Sequence, residues 1–354
     1  MASKMTWSLA VATLVLTGAG CFGGGSQATA NTAGGTWRSP DGGQTWSEAN
    51  TLLLAPDNGT IGVVDVLTIE RDPRDASIMY LGTRGSGLMI SLDGGASWSR
   101  PVESIVREGS VLAVEADPQN VCTLYVLKAD RLIKTTTCGR TWEAERYLES
   151  QPKATLTAFA VDWYNSNILY LGNSDGALLQ SVDGGATWAR IFAFRQAVST
   201  INVSNADSRV ILAGTTRDSL FRSADGGLTW NSLEESFEKF RDADRVTGFS
   251  QNSDGTSMIT MTEYGLFRST DGGLTWLPLS LVSGAGDVHI TAATVAPKNG
   301  QVIYYGTADS FVQSNNGGAT WTVSENPTTR AISAIMVDDI NPNQVQVGLK
   351  NIEK

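Results

Sequence analysis

An eight-residue pattern, Ser-x-Asp-Gly-Gly-x-Thr-Trp, constrains this chain more than any other feature, because the chain writes it seven times. Residues 269–276 carry it in full, and the other copies occupy residues 39–46, 91–98, 135–142, 181–188, 223–230 and 314–321. Five copies keep Asp-Gly-Gly, led by Asp41, Asp93, Asp183, Asp225 and Asp271. Asn316 replaces the aspartate in one copy, and another reads Thr137-Cys138-Gly139. The closing tryptophans, Trp46, Trp98, Trp142, Trp188, Trp230, Trp276 and Trp321, are 52, 44, 46, 42, 46 and 45 residues apart. A period of roughly 40–50 residues punctuated by Gly and Trp points to a propeller or a similar repeat array. An array of 354 residues then counts as one domain.

Each copy closes the same cassette. Before Trp98 come a β-rich run (63–70), a turn at Asp72-Pro73, a second short apolar run (78–82), a turn (83–87) and a third strand (88–91). Asp93-Gly94-Gly95 then turns into a fourth strand. Short strands at regular spacing with turn residues between them predict an antiparallel four-stranded sheet. The first strand is rich in small residues (Ala113, Ala158, Ala160, Gly248, Ala292, Ala293, Ala334), as crowded innermost strands require. The chain starts with the last part of a unit (36–46) and ends with the first part (332–337 and 344–349). The expected fold is all-β: a seven-bladed propeller of four-stranded antiparallel blades, closed by pairing N- and C-terminal strands in one blade.

Within the motif, the glycines permit positive φ in a tight turn, and the aspartate can accept backbone N–H bonds. The tryptophans are expected to be buried anchors between sheets. Seven equivalent aspartates cannot converge on one reacting atom, and their spacing lacks the alternating oxygen ligands of a calcium loop, so the box reads as structural.

The three cysteines divide in two ways. Residues 7–16 form an apolar run after Lys4, too short to span a bilayer, and Gly18-Ala19-Gly20 precede Cys21. This resembles the lipobox of bacterial lipoproteins, which implies removal of residues 1–20 and lipidation of Cys21; an ordinary signal peptide cut nearby is the alternative. Residues 21–35, rich in Gly, Ser, Ala and Thr, read as a flexible tether, and residues 36–354 as the propeller. Cys122 opens the second strand of the unit whose box contains Cys138. The start of strand two lies beside the end of strand three, so a disulfide is expected in an oxidising compartment, with two free buried thiols as the alternative.

The motif resembles the Asp-box, or bacterial neuraminidase repeat (BNR), from residue 36 to the C-terminus. Asp-box propellers include sialidases, xyloglucan-cleaving endoglucanases, sortilin-type receptors and photosystem II stability/assembly factors. The resemblance implies that the box lies on the face away from any ligand. Single-propeller size and seven units are most similar to the assembly-factor type, carried here on a lipoprotein-like leader.

The opposite face would carry the turns between strands two and three. These contribute Arg84, Asp130, Arg131, Asn173, Asp175, Arg217, Asp218, Glu263, Tyr264 and Asp309 as candidate ligand or partner contacts; as ordinary turn residues they would simply be solvated. The longest inter-blade link, residues 231–245, sets Leu233, Phe237 and Phe240 at helical spacing and predicts one to three turns of helix. The lone histidine, His289, is expected to begin an inner strand near this face, and one histidine excludes multi-histidine metal sites. A formal net charge of -10 argues against nucleic acid as a partner. The expectation is an exported, monomeric, non-enzymatic scaffold in the cell envelope, touching membrane only through its lipid, binding another protein, and using no metal or cofactor. The competing readings are a glycan-binding module, or a glycoside hydrolase or lyase using Asp130, Asp175 or Glu263.

Overall fold

The structure is a computed structural model that describes residues 31–54, 56–284 and 286–352. The leader and Cys21 lie outside the described residues. The compact unit is Asn31–Lys354, and it is a β-propeller.

Among the described residues the strands form eight sheets, of which one is a small ribbon and the others follow one another along the chain. Blade 1 joins Gly35–Ser39 and Ser47–Glu48 to Ala331–Val337 and Val345–Lys350, with Thr36 opposite Gly348 and Arg38 opposite Gln346. Blade 2 comprises Val66–Arg71, Met79–Thr83 and Leu88–Ser91. Blade 3 comprises Ala113–Ala116, Leu124–Leu127, Arg131–Thr135 and Tyr147–Leu148. Blade 4 runs through Leu156–Val161, Leu169–Asn173, Ala177–Ser181 and Ala189–Ala193, and blade 5 through Val198–Val203, Ile211–Thr215, Leu220–Ser223 and Asn231–Ser232. Blade 6 holds Val246–Gln251, Met258–Thr262, Leu266–Ser269 and Leu277–Pro278. Blade 7 holds Ala292–Ala296, Asn299–Gly306, Ser310–Ser314 and Thr322–Glu325. Each innermost strand packs on the next, and that of blade 1 lies against that of blade 2. In blade 2 the box-closing strand Ser97–Trp98 is shared with a small ribbon formed by Thr51–Leu52 and Gly59–Thr60.

Glycine sets the spacing between blades. Gly82, Gly172, Gly214, Gly306 and Gly348 occupy one position near the end of the second strand. A Cβ on Gly214 would come within 2.4 Å of Val246, and one on Gly172 within 2.6 Å of Val198. The missing side chain therefore admits the first valine or isoleucine of the next blade.

The boxes are built from side-chain hydrogen bonds. In the copy at 269–276, the Ser269 hydroxyl donates to Asp271 at 2.8 Å and accepts the Gly273 N–H at 3.0 Å. Asp271 accepts the Thr275 N–H at 3.0 Å and the Thr275 hydroxyl at 2.6 Å. Asn316 reproduces this with its amide donating to Thr320 at 2.8 Å. Asp41, Asp183 and Asp225 are each held down to about 2, with the bond from their box threonine as the main cause. In Asp93 burial works in the opposite direction, yet bonds from Ser97 and Ser91 still bring the carboxyl to about 2.

The copy at 135–142 departs from this. Cys122 and Cys138 are joined by a disulfide. Cys138 stands where six copies have the first glycine, and it adopts that glycine's left-handed backbone with φ 54°; Cys122 has φ 68°. The residue before each box serine normally reaches the next blade's box: Arg38 donates to the Gly94 carbonyl, Arg222 to Gly272 at 3.1 Å and Arg268 to Gly317 at 3.0 Å. At the seam between blades 2 and 3 that residue is Ile90, which packs in one apolar cluster with Cys138. The polar donor of the clasp is thus replaced by an apolar contact between Ile90 and the cluster that holds Cys138.

One expectation needs correction. Only Trp98 and Trp276 of the seven box tryptophans are buried. The other five lie ahead of the outermost strands and are partly exposed, whereas the ribbon's Leu52 packs with Trp98 and Phe237 and Phe249 pack on Trp276. Several still tie blades together: the indole N–H groups of Trp98, Trp188 and Trp321 donate to Ala49, Arg146 and Ser280 of the preceding blade. The link 231–245 forms one 3-10 turn, Glu234–Ser236, the lower end of the one to three turns expected. Phe237 docks on Phe267 and Trp276, and hydrogen-bonded turns carry the chain on to Arg245.

Candidate functional site

Successive strands are antiparallel, so the turns joining strands two and three lie at the end opposite the boxes. All ten candidate residues fall on or next to those turns, but the fold brings together only some of them. Arg84 and Asp309 share a cleft of about 480 Å³ with Asp287, His289 and Lys350, between blades 7, 1 and 2. His289 is exposed and lies ahead of the strand Ala292–Ala296, not within it, since the Asp287–His289 segment bulges over the cleft. Asp65, which sequence reasoning missed, underlies the cleft: it accepts from Arg330 at 2.8 Å and from the Asn351 N–H at 2.9 Å, and pairs with Arg84 at 4.0 Å. No motif marks Asp65, because its partners come from opposite ends of the chain.

The remaining candidates are spread round the rim, most with a local partner. Arg131 pairs with Asp130 at 2.6 Å and with Glu145 at 2.9 Å, and its hydrogen bond lowers the Asp130 pKa. Asp218 is bound by Arg195 at 2.9 Å, beside the exposed Arg217. Glu263 accepts from Arg245 at 2.6 Å, and Tyr264 packs on Phe240. Asn173 is buried, and its side-chain oxygen shapes the turn by accepting the Asp175 and Ala177 N–H groups. A carboxylate held ionised by a guanidinium is a poor general acid, which argues against that role for Asp130.

Among the described residues, a pair of carboxyls whose ionisation is opposed sits elsewhere. Glu70 and Glu115 hold the same position on the innermost strands of blades 2 and 3, where they line the box end of the central tunnel with Asn202, Gln251 and Thr294. Burial raises Glu115 to about 7. Burial, then the facing Glu115 and Asp72, push Glu70 well above the usual carboxylate range, with Arg71 opposing. The sequence offered no signal for this pair beyond an acidic residue within an apolar strand. Among the described residues no group of three or more His, Cys, Asp or Glu side chains could hold a metal ion. Among them no helix is long and apolar enough to cross a membrane.

No family model and no curated protein matches the chain. Solved structures do. It is similar to the GH74 xyloglucanase of Xanthomonas campestris at 19% identity and a TM-score of 0.65, over 88% of this chain and 52% of that one. It is similar to YCF48 from Cyanidioschyzon merolae at 13% identity and a TM-score of 0.59, over 84% of this chain and 97% of that one. A YCF48 bound to a D1 peptide matches at 14% identity and a TM-score of 0.59, over 81% of this chain and 94% of that one. The chain thus spans about half the length of the GH74 enzyme and nearly all of YCF48. These likenesses establish the β-propeller fold.

Proposed function

We propose that this protein is an exported, lipid-anchored propeller of Asp-box type that binds another protein through the face opposite its boxes, without catalysis. The observation that carries the reading is the cleft of about 480 Å³ in which Arg84, His289 and Lys350 face Asp287 and Asp309. Mixed charges around a concave, partly apolar floor suit a peptide with polar side chains. The near full-length match to YCF48, one structure of which holds a D1 peptide, supports it. The same leader that would lipidate Cys21 would deliver Cys122 and Cys138 to an oxidising compartment.

A photo-crosslinking residue at Ala308, on the cleft, should trap a discrete partner on intact cells, whereas one at Ala96, in a box turn, should not. Equal trapping at both positions, or none, sinks the reading. Labelled fatty acid should appear on the wild type and vanish in Cys21→Ser.

A hydrolase is the second reading, favoured by the higher TM-score to the GH74 enzyme and by the raised Glu70–Glu115 pair. Release of reducing sugar from polysaccharides, abolished in Glu115→Gln, would support it.

A further inference from the structure

The repeat makes unusual residues visible, because the backbone around them is a constant. After the innermost strand, blades 2, 3, 4 and 1 use the same turn: Asp72, Asp117, Asp162 and Asp338 each accept the N–H two residues on, at 2.9, 2.8, 2.8 and 2.9 Å. Blades 2 and 3 fill the turn with Pro73-Arg74 and Pro118-Gln119. Arg74 then reaches the Gln119 carbonyl at 3.0 Å, and Gln119 reaches the Trp163 carbonyl at 3.1 Å and that of Tyr164, so each turn braces the next. Blade 4 has Trp163-Tyr164 there instead. The turn does not require these rings, since the same hydrogen bond forms without them. Tyr164 stands out from the surface, 71% exposed, with its ring edge-on to Trp163 at 6.0 Å.

The Trp163 ring and the loop backbone that carries both rings are held in place. The Trp163 indole N–H donates to the Ser204 carbonyl at 2.8 Å, and the loop backbone is pinned by Asp162 on one side and Gln119 on the other. They form one wall of a groove of about 660 Å³ between blades 4 and 5, at the box end of the molecule. The facing wall carries Arg209, locked to Asp207 by two bonds of 3.0 and 2.7 Å, and the floor carries Gln180, which donates to Tyr170 at 3.2 Å. The exposed Leu228 closes one end.

We propose that this groove is a binding site for a neutral oligosaccharide, on the face opposite the rim cleft and separate from it. The rings supply rigid apolar faces for the C–H face of a pyranose, at little cost in side-chain freedom. Gln180, Asn165 and the Arg209–Asp207 pair supply planar donors and acceptors for sugar hydroxyls. An anionic ligand is disfavoured, because the lining has the carboxylates of Asp162, Asp207 and Asp225 against one guanidinium that is already paired. A proline-rich peptide would use the rings but leave the paired side-chain groups of the facing wall without a role.

The test is affinity electrophoresis of the full chain in gels containing xyloglucan, mixed-linkage β-glucan, mannan or pectate, followed by calorimetry with oligosaccharides of whichever retards it. Retardation in at least one neutral gel and none in pectate is expected. Tyr164→Ala should weaken binding by about tenfold. The pair Trp163→Pro with Tyr164→Gln rebuilds the turn of blade 3 and should abolish binding, with thermal unfolding as the check on folding. Three outcomes would overturn the proposal: no retardation by any neutral polysaccharide, equal retardation of wild type and variants, or binding of a proline-rich peptide that the same variants remove.

Discussion

The disulfide at the seam between blades 2 and 3 gives the sharpest quantitative prediction. In the intact boxes the first glycine sits at φ between 67° and 75°, and its N–H bonds to a carbonyl at the start of the second strand: Gly94 to Ser77 at 2.7 Å, Gly184 to Asn167 at 2.9 Å, Gly317 to Gln301 at 2.8 Å. Cys138 makes the same bond, to Cys122 at 3.0 Å, and the disulfide duplicates it covalently across a sequence separation of 16. Crosslinking a loop of that size stabilises by roughly 3 kcal/mol in the chain-entropy model. Against this, a non-glycine residue in the left-handed region costs roughly 1–2 kcal/mol. Glycine relieves that strain but loses about 0.5–1 kcal/mol through its freer unfolded chain. Cys122→Ser/Cys138→Ser should therefore be about 3 kcal/mol less stable than the oxidised protein, and Cys122→Ser/Cys138→Gly should recover up to about 1 kcal/mol of that. The assay is urea unfolding with and without reductant. Reductant should move only the wild type, and hydrogen exchange should rise first in Arg131–Thr135, since Ile90 offers no polar clasp there. If the double serine variant matches the oxidised protein, or glycine is no better than serine at 138, the trade between crosslink and strain is wrong.

Four further outcomes are expected. Gly214→Val should cost about 1–3 kcal/mol in the same assay, because its side chain would strike Val246 of the next blade. The Glu115 carboxyl, raised from 4.5 to about 7, binds its proton more tightly folded than unfolded, so its contribution is whole below about pH 4.5 and is lost as pH rises towards 7. Glu115→Gln should therefore raise the melting temperature at pH 8 more than at pH 4.5, by an amount corresponding to about 1–2 kcal/mol for a half-buried group. The box aspartates have the opposite sign: lowered from 3.8 to about 2 in Asp41, Asp183 and Asp225, they contribute stability that is lost as pH falls from about 4 to 2. Asp271→Asn should fold with its turn intact, as Asn316 does naturally, and show a weaker acid transition, whereas Asp271→Ala should lose about 1 kcal/mol at pH 7 as well.

The box motif and its period determined the fold class, because a turn that needs two positive-φ glycines and an accepting side chain is specified by adjacent residues. The split unit at the two ends was equally legible: the partial strand set of residues 36–46 meets that of residues 332–349 in one sheet. Local rules reached less far where a residue's surroundings come from another blade. Nothing near Trp142 or Trp188 says whether a neighbouring loop covers the ring, so the sequence could not separate these from the buried Trp98 and Trp276. The ten rim residues share a turn position, yet only the ring geometry decides that Arg84 meets Asp309 while Glu263 is taken by Arg245. Glu70 and Glu115, 45 positions apart, become neighbours only because innermost strands crowd round a tunnel. Sequence determined the repeated blades through turns written in adjacent residues; the tertiary structure decided the cleft, the tunnel pair and the groove, because each of these lies between blades.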